Sequence, residues 1–472
     1  MRSFSVLLLS GFLVSPVFST TTDQVAQKVS PACLTLEDAL KAAYLNNQEL
    51  KEARQSTLSV HERSVQAASG FRPKISLEGS MTGSQSINSG NGKDNGLSAS
   101  GSLNNQRSGQ IILSHNLYEG GGTLASLDKT ENQIKSQWAQ ISALEQNLFL
   151  KVIQAFLELA AKKSEIEQLE ANKQAMKRNY ESAQEKHRIG EETITQVANA
   201  EAKLAESDAR LQMSMAQHET LKAKFLQLTG IQATATLAPV SWPMNVPADL
   251  ETALSTAKDK NPEVIAAQYD HQAKQAEAEE VGARLLPKID LQASSGRDES
   301  LRKTSNPYYS GTNDSRDFST NHQVVVKLSV PLYEGGAIRS QKREAHEASV
   351  AKRMAVEKVR LQIVEQITGA WQNMISAKNN MENYDKQVKA TEIGLEGTQQ
   401  EMNVGTKVLL DVLNAQAALL DAKLHKIEAV KNHQLAAFQV MALIGQLNAR
   451  SLKLPVDYFN PEAHYQATRF KF

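Results

Sequence analysis

The 472-residue sequence contains one cysteine, Cys33, so it has neither an internal disulfide framework nor a cysteine-rich metal site. It also lacks net charge: 52 Lys and Arg balance 52 Asp and Glu, and no global field invites nucleic acid or an anionic surface. After the first 19 residues it lacks any apolar run of about 18 residues, which excludes a membrane-spanning helix. Enzyme signatures are missing too. GNGKD at 90–94 would need Gly at 87 and Ser or Thr at 94 to cradle phosphate, and Ile87 and Asp94 stand there, so it reads as a surface turn. None of the ten histidines falls in HExxH, and no GxSxG elbow occurs. The histidines read as solvated helix positions, apart from His115 on an apolar strand face. No catalytic, cofactor or metal site is expected, and the chain is not read as an enzyme.

What is present begins with MRSFSVLLLSGFLVSPVFS, a basic residue and an apolar stretch ending in small residues, which predicts a secretory signal peptide over 1–19. Cys33 lies far from that apolar stretch, which argues against lipidation.

The strongest positive signal is internal repetition. LYEGGG at 117–122 returns as LYEGGA at 332–337, and the same offset of 215 lays Gly190 on Gly405, Val197 on Val412 and Asn199 on Asn414. Upstream, an offset of 214 lays LEDAL at 36–40 on LETAL at 250–254, Asn47 on Asn261, and RPKISL at 72–77 on LPKIDL at 286–291. The chain reads as a tandem duplication: a first repeat over 20–247, a second over 248–450 and a tail over 451–472. The terminal RFKF alternates apolar and basic residues and reads as a frayed tail.

Each repeat carries the same order of elements. A short helix halts at Asn46 and Asn47, and a second runs toward Pro73, which disfavours helix just before it, as Pro287 does in the copy. Two strands follow, over about 73–118 and 287–333, because apolar residues alternate: Ile75, Leu77 and Met81, then Ile111, Leu113 and Leu117, and in the copy Val324, Val326, Leu328, Val330 and Leu332. Beyond the glycines the period becomes helical. Twelve of sixteen heptad seam positions from Ile134 to His187 are apolar, as are eleven of sixteen from Ser349 to Met402. Neither stretch contains proline, which predicts helices over about 120–188 and 335–403, each roughly 100 Å long. A half-length helix follows each. Gly120, Gly121 and Gly122, like Gly335 and Gly336, stand where strand must turn into helix and glycine's backbone freedom is needed.

An exported chain with amphipathic strands points to a transmembrane barrel. One chain offers four strands, whereas spanning barrels begin at eight, because open edges do not survive in lipid. Two copies would give eight and three would give twelve. The predicted fold class is therefore mainly α, a long coiled-coil α-barrel joined to a transmembrane β-barrel that closes only by oligomerisation.

The repeat, the LYEGG joints and especially NVGTKVLLDVLNAQAALLDAK resemble the TolC family of outer-membrane channel-tunnel proteins over nearly the whole chain. The resemblance implies a homotrimer with a twelve-stranded barrel in outer-membrane lipid and a periplasmic tunnel. It further implies a passive export duct of a tripartite efflux or type I secretion system, opened at its tip by a periplasmic adaptor (membrane fusion) protein and an inner-membrane pump. The adaptor-docking tips would be Ile189, Gly190 and Glu191, with Val404, Gly405 and Thr406. Asp411 would ring the narrow mouth. At other gate positions the sequence departs from the family's best-studied members: Met402, Lys407 and Gln196 replace a tyrosine, an arginine and an aspartate, and Asn414 replaces a second acidic ring. The competing reading is a periplasmic or surface coiled-coil tether with no pore.

Overall fold

A computed structural model describes residues 34–91, 97–233, 236–240, 246–305 and 312–469. The expected signal peptide, Cys33, most of GNGKD and the last three residues of RFKF lie outside them. The first repeat runs α1 (Leu36–Asn46), α2 (Gln48–Ala68), β1 (Lys74–Asn91), β2 (Leu97–Glu119), α3 (Gly122–Arg188) and α4 (Ile194–Thr229). The second runs α5 (Leu250–Lys260), α6 (Pro262–Ala283), β3 (Lys288–Ser305), β4 (Thr312–Ser329), α7 (Ala337–Asn403) and α8 (Leu409–Leu443), and α9 (Pro461–Thr468) follows.

α3 and α7 are 67 residues each, continuous because nothing in them breaks the heptad. Beside each rod, a half-length helix from one end of the repeat meets one from the other. Asn47 makes the first junction: its Oδ1 accepts the Leu50 N–H (3.0 Å), capping α2, while its Nδ2 donates to the Leu228 carbonyl (3.1 Å) at the end of α4. Asn261 repeats the device, accepting from the Glu263 N–H (2.8 Å) and donating to the Leu443 carbonyl (2.9 Å) at the end of α8. Asparagine suits the junction because one side chain offers both an acceptor and a donor.

The four strands form one antiparallel sheet in the order β1-β2-β3-β4. Its register brings Ile75 to Leu113, Leu77 to Ile111, Leu291 to Val326 and Ala293 to Val324 on one face, with Ser76, Glu78, Gln110, Gln292 and Lys327 on the other. β2 continues through a bulge at Asn116/Tyr118 to Glu119, whereas β4 stops at Ser329, so Val330 and Leu332 lie beyond the strand expected to include them. The cause is pairing. β3 supports the last residues of β2, and no described strand flanks the corresponding side of β4.

The main core gathers Phe149, Phe156, Phe225 and Phe438 with Leu40, Leu50 and Ile153, where α1, α3 and α4 converge. Nine seam residues of α3 are buried, among them Leu148, Val152 and Met176, but only six of α7, from Ser349 to Val388. α3 packs against α2 as well as α4, α6 and α8, whereas α7 packs against α5, α6 and α8 with no described helix in the place that α2 takes beside α3, so one side of the second rod is uncovered.

The tail after 450 is packed over its described part: Leu452 and Leu454 are buried in the core, and α9 docks on α2. One expectation fails there: His61 is not a solvated helix position, for it is fully buried beneath α9. Trp138 Nε1–H donates to His61 Nε2 (2.9 Å), which fixes the neutral tautomer that donates from Nδ1 to His464 Nδ1 (3.0 Å). Tyr465 closes the cluster by donating its hydroxyl to Glu131 (3.2 Å), which also pairs with Arg469 (2.8 Å).

Burial, reinforced by the neighbouring His464, pushes the His61 pKa down from 6.5 to about 4. Folding therefore favours the neutral ring, and the stability this gives is complete above pH 6.5 and lost as the pH falls toward 4. Hydrogen exchange corrected for intrinsic rates should show residues 461–468 losing protection between pH 7 and pH 5 while Phe149 and Phe156 keep theirs. Unchanged protection of α9 at pH 5 would contradict this account of its docking.

Candidate functional site: joints, tips and mouth

The joints stand where the sheet meets the rods. Gly120 and Gly121 have φ of +61° and +84°, and Gly335 and Gly336 have +62° and +84°, angles that disfavour any side chain. Gly120 has a second constraint. A Cβ there would lie 2.5 Å from the Ala283 carbonyl oxygen and 2.7 Å from Leu286 Cβ, at the end of α6. At Gly335 the same position faces open space. Lys288 and Glu119 form an ion pair (2.6 Å) that ties β3 to β2 just before the turn.

At the far ends of the rods, two tips are built alike. In the first, the Glu191 N–H donates to Lys186 O (2.9 Å) and the Gly190 N–H to His187 O (3.0 Å), with Gly190 at φ +86°. In the second, the Thr406 N–H donates to Glu401 O (2.9 Å) and the Gly405 N–H to Met402 O (3.0 Å), with Gly405 at φ +83°. Both are Schellman closures, which satisfy the last helical carbonyls and require a left-handed residue after the cap. Ile189 and Val404 are left exposed, 58% and 76%, with Glu191 and Thr406 beside them. An apolar side chain beside a fixed turn on each of two hairpins is a surface that another protein can grip.

The residues expected at the mouth flank these turns in the chain. Asp411 Oδ2 accepts the Val408 N–H (3.2 Å), closing the first turn of α8. Asn414 lies one turn further and is exposed, as is Lys407, whereas Met402 and Gln196 are half-buried. Gln196 belongs to the other hairpin, where Thr193 caps α4 by accepting its N–H (3.4 Å). No hydrogen bond or ion pair joins any two of Met402, Lys407, Gln196, Asp411 and Asn414 among the described residues.

The two hairpins are instead held together higher up, by residues the sequence did not single out. Leu413 is buried among Met176, Ala183, Val197 and Ala200. Asn179 donates to Gln416 (2.7 Å), and Arg210 pairs with Asp421 (3.4 Å). Within each hairpin, Lys173 pairs with Asp208 (2.5 Å) and Lys426 with Asp385 (2.6 Å). Hydrogen bonds from Lys389 and Lys426 hold Asp385 down at about 2. Partners so far apart in the chain leave no local signal.

A four-stranded sheet with one apolar face, continuous with two paired helical rods, is an architecture of the channel-tunnel type. The outer membrane efflux protein family model matches the chain twice, over residues 39–230 and 253–446. The chain belongs to that family and is an outer-membrane protein. It is 27% identical over 438 residues, 93% of this chain and 91% of the relative, to the outer membrane efflux protein BepC of Brucella suis biovar 1. It is 22% identical over 420 residues, 88% and 83% of the two chains, to the outer membrane protein TolC of Escherichia coli K12. Its fold matches the CmeC outer membrane channel of Campylobacter jejuni with a TM-score of 0.73 at 14% identity, covering 92% of this chain and 89% of that one.

Substituting Gly120 by Ala combines a left-handed penalty of about 1 kcal/mol with overpacking against Ala283 of about 2 kcal/mol. Gly405→Ala, whose Cβ meets nothing within 4 Å, should cost only about 1 kcal/mol. Chemical unfolding of both variants checks the difference, and equal losses would show that the α6 contact at Gly120 is unimportant.

Proposed function

We propose that this protein is the outer-membrane duct of an export system. Three chains close one twelve-stranded barrel over a periplasmic tunnel of long helices, and a periplasmic adaptor docked at the tips couples the tunnel to an inner-membrane pump. The observation that carries this reading is the pair of unpartnered edges: among the described residues β1 and β4 flank the sheet with no strand beside them, and α7 is uncovered on the side where α3 has α2. An open strand edge is not tolerated in lipid, so further copies must cover it. The open space at Gly335 fits the same need, since the counterpart site at Gly120 is filled by the end of α6. Three copies suit a conduit better than two, because about eight strands enclose only enough room for their own side chains. A coiled-coil tether would leave the apolar face of four strands without a role.

The duct carries no chemistry of its own. Cargo passes through a polar lumen lined by residues such as Ser76, Glu78, Gln110 and Gln292, and the hairpins shift at the tip to open it. Asp411, repeated around a threefold axis, gathers three carboxylates in a narrow passage whose low-dielectric walls focus the field and attract cations. Asn414 adds no second ring of charge.

In planar bilayers the detergent-purified protein should conduct, and Asp411→Asn should weaken cation selectivity and relieve block by multivalent cations. Asp208→Asn, which removes only an exposed pair with Lys173, should do neither. A soluble monomer without conductance contradicts the duct, and equal block in wild type and Asp411→Asn removes Asp411 from the mouth.

A further inference from the structure

The outward, apolar face of the sheet changes character partway up. On β4, Leu328, Val326 and Val324 are followed on the same face by His322, Thr320, Phe318, Arg316 and Asp314. On β3, Leu291 and Ala293 give way to Arg297, Glu299 and Lys303, with Leu301 among them, and on β2, Leu113 and Ile111 give way to Arg107, which stands opposite Met81 and is followed by Leu103. Below this change, exposed Tyr118 marks the end of the face nearest the rods. From Leu328 to Phe318 along β4, or from Tyr118 to Arg107 along β2, a strand tilted as in outer-membrane barrels rises about 25 Å, the height of a barrel's apolar band. Phe318, 53% exposed, therefore stands at the outer-leaflet boundary, where aromatic girdles sit.

Around it the cations are in excess. Arg297 and Arg316 place their guanidinium carbons 4.9 and 5.0 Å from the Phe318 ring centroid. Glu299 engages Arg316, and Asp314 engages Lys303 (3.3 Å). Arg107 and Arg297 have no acidic partner among the described residues. Unpaired cations on a lipid-facing wall are unfavourable unless the lipid itself brings negative charge. The opposite face has its own arginine, Arg302, which points into the lumen side and serves as a control.

We propose that Arg107, Arg297 and Arg316, gathered beside Phe318 on the lipid-facing side of the barrel's outer rim, bind the phosphorylated headgroup of an outer-leaflet glycolipid. This rests on the duct reading, which sets the sheet in the membrane with its apolar face outward. Guanidinium forks match phosphate oxygens in bidentate geometry, and the Phe318 ring holds two of them in place before the lipid arrives. Acyl chains of the same lipid would lie along Val324, Val326 and Leu328 below. The outer-leaflet lipid would thus fix the depth of the barrel.

The test uses the full-length protein in detergent, with native mass spectrometry counting bound lipid A, either bisphosphorylated or enzymatically dephosphorylated. Wild type should retain the bisphosphorylated form and not the dephosphorylated one, and millimolar inorganic phosphate should not displace it. The triple variant Arg107→Gln, Arg297→Gln, Arg316→Gln should bind roughly a hundredfold more weakly, and Arg107→Gln alone about fivefold, while Arg302→Gln should bind as wild type does. Arg107 has no ion pair to lose, so that single variant keeps the test valid if the triple variant misfolds. Equal retention of both lipids, or equal binding by wild type and Arg107→Gln, overturns the lipid site; if those proteins still conduct in bilayers, the duct reading survives. A wild type that forms no conducting barrel overturns both.

Discussion

A strand edge carries a row of backbone N–H and C=O groups, and lipid offers them no partner. That constraint governs the rest of this molecule. Its four described strands make one sheet with two open edges, and on the proposed reading further copies of the chain cover those edges in the membrane. The rods inherit the requirement. α7 lacks on one side the helix that α3 has, and the proposed closure of the sheet would supply both deficits at once.

Duplication makes the closure geometrically simple. Each repeat contributes a hairpin of strands, a rod and two half-length helices joined end to end at an asparagine, Asn47 or Asn261. The contact between the first repeat and the second inside the chain is a template for the contact between one chain and the next. The glycine joints serve that template. At Gly120 the strand-to-helix turn lies so close to the end of α6 that a Cβ would stand 2.5 Å from the Ala283 carbonyl oxygen, and a Cβ at Gly335 would meet nothing within 4 Å in a single chain.

Much of this was legible in the sequence because it is periodic. Alternation at two residues and a heptad seam each state their element directly, and the LYEGG phrase marks where one becomes the other. The tips were legible for the same reason, since a glycine after a long helix is the usual left-handed closure. Long-range pairing was not legible. His61 looked solvated because its partners, Trp138 and His464, lie 77 and 403 residues away. The end of β4 was misjudged because Val330 and Leu332 continue the pattern of alternation past the last residue with a strand beside it. The mouth residues carry no pattern, and Asp411 is met in the structure as a helix-terminal acceptor rather than as part of a linked gate.

The claim that three chains close one barrel can be tested at the edge itself. β2 and β3 set Ile111 opposite Ser295, and the repeat offsets of 215 and 214 carry that pair onto Val326 of one chain and Met81 of the next. With Cys33 replaced by serine, Met81→Cys and Val326→Cys in one chain should oxidise to interchain disulfides in the outer membrane. A denaturing gel should show a ladder of one, two and three chains that ends at three. A ladder that ends at two, or efficient folding with no interchain bond, would contradict it.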